Sequence, residues 1–217
     1  MNRGLRLTHM RTQLSVFRAF AFGVIGAAVW AAGSPGLALG QETKDAPVFE
    51  VVPLDSAIQF SVKASVALQG TFEKWDAKLT FASADVTTAA LSIQIHAASV
   101  NTGSGMKDNK LKGKDFFYVE ENPLITFVSN KVIQTGPTTF EVDGDFTIRG
   151  VTKPEKLTLT VTGKGTGNGE VHGTMAFDRK DYGMNKGIPF IKIADRVEVT
   201  VNLKAKQVSG PRLVYKE

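Results

Sequence analysis

The stretch FEVDGDFTIRG, residues 140–150, alternates between two kinds of position. Phe140, Val142, Gly144, Phe146 and Ile148 take one set of places, and Glu141, Asp143, Asp145, Thr147 and Arg149 take the other. Side chains on a strand point to opposite faces in turn, so this spacing predicts a β-strand with one charged, solvated face and one face hidden from water. What hides that face decides the fold. A packed core, a second sheet or a molecule that is not protein would each do it.

The same signature recurs along the chain. SAIQFSVKASV (56–66) sets Ile58, Phe60, Val62, Ala64 and Val66 against Gln59, Ser61, Lys63 and Ser65. ALSIQIHAA (90–98) and RVEVTVNLKAK (196–206) are one-sided in the same way, and KLTLTVTGKG (156–165) and EVHGTMAFDRKDYG (170–183) repeat the pattern across a Gly-rich turn at 163–169. Only TGSGMKDNKLKGKDFF (102–117) reads as a helix: Thr102 and Ser104 are capping candidates, helix formers run from Met106 to Lys112, and Gly113 stops it. The expected class is all-β, with about eight antiparallel strands and one short helix. One-sided strands allow a sandwich or a closed barrel; meander-like spacing and the removal of free edges by closure favour the barrel. Such a barrel holds either filling side chains or one small ligand. The small inward positions Ala64, Ala97, Gly144, Gly173 and Ala205 fit both readings.

Residues 1–40 read as an export signal. Arg3, Arg6, Arg11 and Arg18 form an acid-free basic leader, AFAFGVIGAAVWAAG (19–33) is a short apolar run, and ALG (38–40) offers a cleavage site. The mature chain, a single domain of residues 41–217, is expected to start near Gln41 in the periplasm. Without the leader's four arginines, 22 basic residues face 21 acidic ones, so the formal net charge falls from +5 to +1. No basic run stands out, which argues against nucleic acid as a partner. With no cysteine in the chain, the fold must hold without disulfides. The end segments QETKDAP (41–47) and SGPRLVYKE (209–217) read as mobile.

SVNTGSGMKDNKLKGKDFFYVEENPLITFVSN (99–130), FEVDGDFTIRGVTKPEKLTLTV (140–161), and FDRKDYGM (177–184) followed by VEVTVNLKAK (197–206) together resemble the YceI-like polyisoprenoid-binding proteins, secreted into the bacterial periplasm. The resemblance runs from about Val48 to Gln207. It implies a lipocalin-like antiparallel barrel whose interior binds, transports or stores an isoprenoid, a quinone or a similar amphiphile, without catalysis and without a resident cofactor. The implied tunnel is lined by Phe60, Val62, Ile93, Ile95, Phe116, Phe117, Phe127, Val142, Gly144, Phe146, Met175, Phe177, Val199 and Val201. A membrane donor or acceptor protein would load it, and pairing of two barrels stays open. Members often carry histidines where this chain has Asp55, Ala64 and Lys110, so no headgroup or metal role is carried over to those places.

Other candidate residues follow from the chain itself. Arg179 continues the inward row Val171, Gly173, Met175, Phe177, and a charge there needs a partner. Asp181 or Asp178 would serve; so would a ligand headgroup, with Tyr182, Asn185 and Lys186 as nearby donors. His96 and His172 fall on wet faces without acids at ligand spacing, so no metal site is expected. Two rival functions remain: an isomerase or lyase using Arg179, Asp181 and Tyr182 on a hydrophobic substrate, and a filled barrel serving as a stress or interaction module.

Overall fold

The computed structural model describes residues 46–65, 68–187 and 192–216. The leader and the expected mature start at Gln41 therefore lie outside the described residues. The strands are β1 Val48–Val51, β2 Ala57–Ala64, β3 Leu68–Phe72, β4 Trp75–Phe81, β5 Ala89–His96, β6 Val100–Asn101, β7 Leu124–Gln134, β8 Thr139–Ile148, β9 Val151–Thr162, β10 Asn168–Asp178 and β11 Ile193–Ser209, and one helix, α1, spans Gly105–Lys112. All eleven strands join one curled antiparallel sheet in the order β4-β5-β7-β8-β9-β10-β11-β2-β3-β6, with β1 also paired to β11.

That path returns on itself, because three pairs of short strands are single walls broken at a corner. β3 runs into β4 through residues 73–74, β5 into β6 through the 3₁₀ turn Ala97–Ser99, and β1 into β2 through the 3₁₀ turn Pro53–Asp55. At the first corner Glu73 donates its N–H to the Ser99 carbonyl at 3.1 Å and His96 donates to the Lys74 carbonyl at 2.9 Å, carrying the β3–β6 ladder into the β4–β5 ladder. Joining the three broken pairs turns eleven strands into the eight walls that the sequence predicts.

The opening stretch is β8, and its alternation is physical. Phe140, Val142, Gly144, Phe146 and Ile148 are all buried, while Asp145 is exposed. β8 pairs with β7 and β9 along nearly its whole length, and Arg149 and Gly150 form the two-residue turn into β9 with φ of 55° and 73°. Positive φ at both turn positions gives the twist that matches a right-handed hairpin. Arg149 is held there by donating from Nη1 to the Gly183 carbonyl at 2.6 Å.

Three local expectations need correction. Ser104 stands at the N-cap of α1 without a side-chain bond; instead Asp108 reaches back, accepting from the Thr102 backbone N–H at 2.8 Å and its hydroxyl at 2.7 Å. β10 ends at Asp178, and Arg179–Tyr182 is a 3₁₀ turn capped by the Asp178 carboxylate. The C-terminal segment, expected to be mobile, is tied down through residue 216. Val86 donates to the Val214 carbonyl at 3.1 Å, Val214 donates to the Ala84 carbonyl at 2.8 Å, and the Gln134 side chain pairs with both backbone groups of Lys216.

Candidate functional site: an apolar interior in two chambers

The inward rows enclose two apolar cavities, one toward each end of the barrel. The first, about 100 Å³, is lined by Phe49, Leu79, Phe81, Phe140, Val142, Leu159, Val171, Ala205 and Tyr215, with the Gly-rich β9–β10 turn at its rim. The second, about 60 Å³, is lined by Phe60, Val62, Phe72, Ile95, Leu111, Phe116, Phe117, Phe146, Ile148, Phe177, Met184 and Val199 among others. Position along the strands sets which chamber a residue meets. On β8, Phe140 and Val142 face the first and Phe146 and Ile148 the second; on β11, Ala205 faces the first, and Val197 and Val199 the second.

Between them lies a packed waist. Gly144 on β8, Ile93 on β5, Met175 on β10 and Val201 on β11 fall between the residues that line the two chambers, and they line neither. Phe127, buried on β7, lines neither chamber, and its ring occupies the space a side chain at Gly144 would take: an added Cβ would sit 2.6 Å from Cζ of that ring. Gly173 makes room for Leu159 and Leu157 in the same way, with an added Cβ 2.8 Å and 3.3 Å from their methyls. The small residues at these two positions are thus filled by protein.

Of the residues named for the tunnel, Phe60, Val62, Ile95, Phe116, Phe117, Phe146, Phe177 and Val199 line the second chamber and Val142 lines the first. Ile93, Phe127, Gly144, Met175 and Val201 belong to the waist. Sequence reasoning missed most of the first chamber, built by Phe49 of β1, Leu79 and Phe81 of β4, and Tyr215 of the C-terminal segment. A signal was present in WDAKLTF (75–81), where Trp75, Ala77, Leu79 and Phe81 alternate with polar residues.

The polar groups proposed for a headgroup are otherwise engaged. Arg179 is buried and lines the second chamber from the 3₁₀ turn after β10, and its partner is Asp195 at 2.9 Å, not Asp178 or Asp181. Its Nε donates to the Ala194 carbonyl at 3.2 Å, and Nη1 donates to the carbonyls of Met184 and of Lys186. Asp195 also accepts from Lys180 at 2.7 Å; that bond, with Arg179 beside it, holds the carboxyl below its ordinary range. Tyr182 is fully buried against Phe146 and Phe177, with ring centroids 5.5 and 5.2 Å away, and donates its hydroxyl to Glu155 at 2.9 Å. Burial first, and that bond second, push the phenol far up from its ordinary value. Asn185 is exposed and lines neither chamber.

His96 is exposed, and His172, exposed on the outer face of β10, pairs its Nδ1 with Asn202 Oδ1 at 2.7 Å. Lys110 bonds Asp115 at 2.7 Å, and Asp55 lies 3.9 Å from Lys204. Among the described residues no group of three or more His, Cys, Asp or Glu is placed to hold a metal ion.

Comparison with known proteins accounts for this architecture. Residues 49–205 match the YceI-like domain. An UPF0312 protein of Pseudomonas savastanoi pv. phaseolicola is 32% identical over 122 residues, 54% of this chain and 64% of that protein, so the chain spans less than two thirds of that relative's length. An UPF0312 protein of Pseudomonas fluorescens is 31% identical over 144 residues, 66% of this chain and 65% of the relative. The crystal structure of Burkholderia cenocepacia BcnA superposes with a TM-score of 0.65 at 25% identity, covering 71% of this chain and 99% of that one. A polyisoprenoid binding domain from Saccharophagus degradans, implicated in plant cell wall breakdown, shares the fold at a TM-score of 0.56 and 13% identity, covering 74% and 99% of the two chains. The family match takes in well over half of the sequence, and the chain belongs to the YceI-like family.

Proposed function

We propose that this protein binds the apolar chain of an isoprenoid, a quinone or a similar amphiphile inside the barrel and carries or stores it in the periplasm. One observation carries the reading: the inward rows end in two cavities toward opposite ends of the barrel, the second lined by aliphatic and aromatic side chains with Arg179 the one polar group, and the first apolar inside with polar groups and glycines of the β9–β10 turn at its rim. Each buried methylene contributes about 0.8 kcal/mol, so a branched chain needs no polar contact to be retained once the entropy of association is met. The polyisoprenoid-binding character of a protein that shares the fold supports the same ligand class. Export by the N-terminal leader would place the carrier between membranes, where a hydrocarbon chain must be shielded from water and where a membrane protein would hand it over.

Mass spectrometry of an organic extract of the protein, purified from its native host, tests this. A prenyl lipid recovered in stoichiometric amount is the expected result. Protein that carries no lipid and binds no added prenyl chain would leave a solid barrel, and the interaction-module reading would take its place. Conversion of the recovered lipid on incubation would instead favour an enzyme.

A further inference from the structure

The two ends of the barrel differ in their polar groups, and this difference points to where a headgroup would sit. At the second chamber, Arg179 is spent on Asp195 and three backbone carbonyls, and Tyr182 on Glu155. At the first chamber the lining includes two cations, Lys164 on the β9–β10 turn and Arg212 on the C-terminal segment, and no Asp or Glu. Lys164 lies over the ring of Tyr215, with Nζ 4.4 Å from its centroid, and among the described residues Arg212 has no ion pair. Asp85, where the C-terminal segment pairs at Val214, is occupied by the Thr87 N–H at 2.8 Å and hydroxyl at 2.7 Å. An apolar chamber thus has two cations in its lining and, among the described residues, no acid there. Tyr215 contributes to its wall and packs on Phe140 at 6.2 Å.

We propose that the first chamber is the headgroup end, and that it takes an amphiphile with an anionic head, a phosphate or carboxylate. Lys164 and Arg212 meet the head, and Leu213 and Tyr215 wall the chamber beside it. The head competes with the Tyr215 ring for Lys164, while the segment itself stays tied by its backbone bonds to residues 84–86 and by the Gln134 amide. This rests on the lipid-binding reading above, and adds to it a polarity and a class of head.

Isothermal titration of the full mature chain with decyl phosphate, decanol and inorganic phosphate separates the two ideas. The expected result is decyl phosphate bound roughly tenfold more tightly than decanol, the sum of two exposed charge pairs, with the preference falling as salt rises. Inorganic phosphate alone should bind far more weakly. The exposed double substitution Lys164→Gln with Arg212→Gln should erase the preference while circular dichroism stays β-rich, and Lys63→Gln, on the outer face of β2, should keep it. Equal binding of the two heads, or a preference that survives the double substitution, overturns the headgroup assignment and leaves chain binding standing. Inorganic phosphate binding as tightly as decyl phosphate makes the rim a free-anion site and overturns the amphiphile. If neither decyl ligand binds, the lipid reading falls, and this inference falls with it.

Discussion

At Gly144 an added Cβ would lie 2.6 Å from both the Phe127 ring and the Val128 carbonyl oxygen. The second contact is the harder one, because a ring can turn but a backbone oxygen in a ladder cannot. β7 is irregular opposite this point, with the register shifting between Ser129 and Lys131. Gly144→Leu should therefore overpack the waist and destabilise by roughly 1–3 kcal/mol, read as a lower urea midpoint; unchanged stability would mean that the waist yields. Arg179 is the second residue on which much depends. Arg179→Met strands the Met184, Lys186 and Ala194 carbonyls and should cost roughly 1.5–3 kcal/mol, with Arg179→Lys restoring little because an ammonium lacks the planar fork. Its partner Asp195 sets a pH dependence. The folded carboxyl is held low by Lys180 and Arg179, so its stabilisation is present above the unfolded value and is lost as pH falls below about 4. Melting temperature should drop over that acid window, and less so in Asp195→Asn. The need for a partner at Arg179 was legible from its place at the end of the inward row; the identity of that partner, sixteen residues away on another strand, follows from no local pattern.

The elements that alternate over long runs were readable: β2, β5, β8 and β11 each carry an apolar row whose period of two matches burial. β1, β3 and β6 were not, because they hold 4, 5 and 2 residues, too few for a period to show, and each abuts a corner where chain direction changes. The C-terminal segment was misread for a different reason. It opens with the turn residues Ser209 to Pro211, its inward pair Leu213 and Tyr215 is too short for a period to show, and the backbone bonds to residues 84–86 and the Gln134 amide that hold it leave no mark in the sequence. A similar device closes the wall between β9 and β10. Those strands pair only from Thr158 to Thr162 on β9, and lower down the 3₁₀ turn after β10 bridges the split through Tyr182 to Glu155 and Asp181 to Lys153 at 3.4 Å. Deleting residues 211–217 should uncover Phe140 and the first chamber while leaving the sheet's ladders intact. The expected outcome is a modest fall in melting temperature with a clear rise in the fluorescence of a dye that reports exposed apolar surface. An unchanged dye signal would show that the segment does not cover the chamber.

For the whole molecule, the resemblance implies a lipid tunnel, and the packing divides that interior into two chambers with a waist between them. The division comes from how small and large residues meet on neighbouring strands: the Phe127 ring of β7 takes the space beside Gly144 of β8, at a level between the two chambers. Period-two alternation tells which residues point inward; it does not tell whether the inward space is occupied, because that depends on pairs brought together from different strands. The waist has a measurable consequence for ligand length. For alkyl ligands of one headgroup and increasing chain length, each methylene that enters the first chamber should add about 0.8 kcal/mol to binding, and the increments should stop once the chain reaches Phe127. Phe127→Ala should join the chambers, at a stability cost of roughly 3–5 kcal/mol, and move that plateau to longer chains. Titration calorimetry on the two proteins gives both curves. A native protein whose increments continue without a plateau would show that the chain itself parts the waist, as a long isoprenoid spanning both chambers requires. A plateau at the same length in both proteins would place the end of the site short of Phe127, and would confine the ligand to a single chamber.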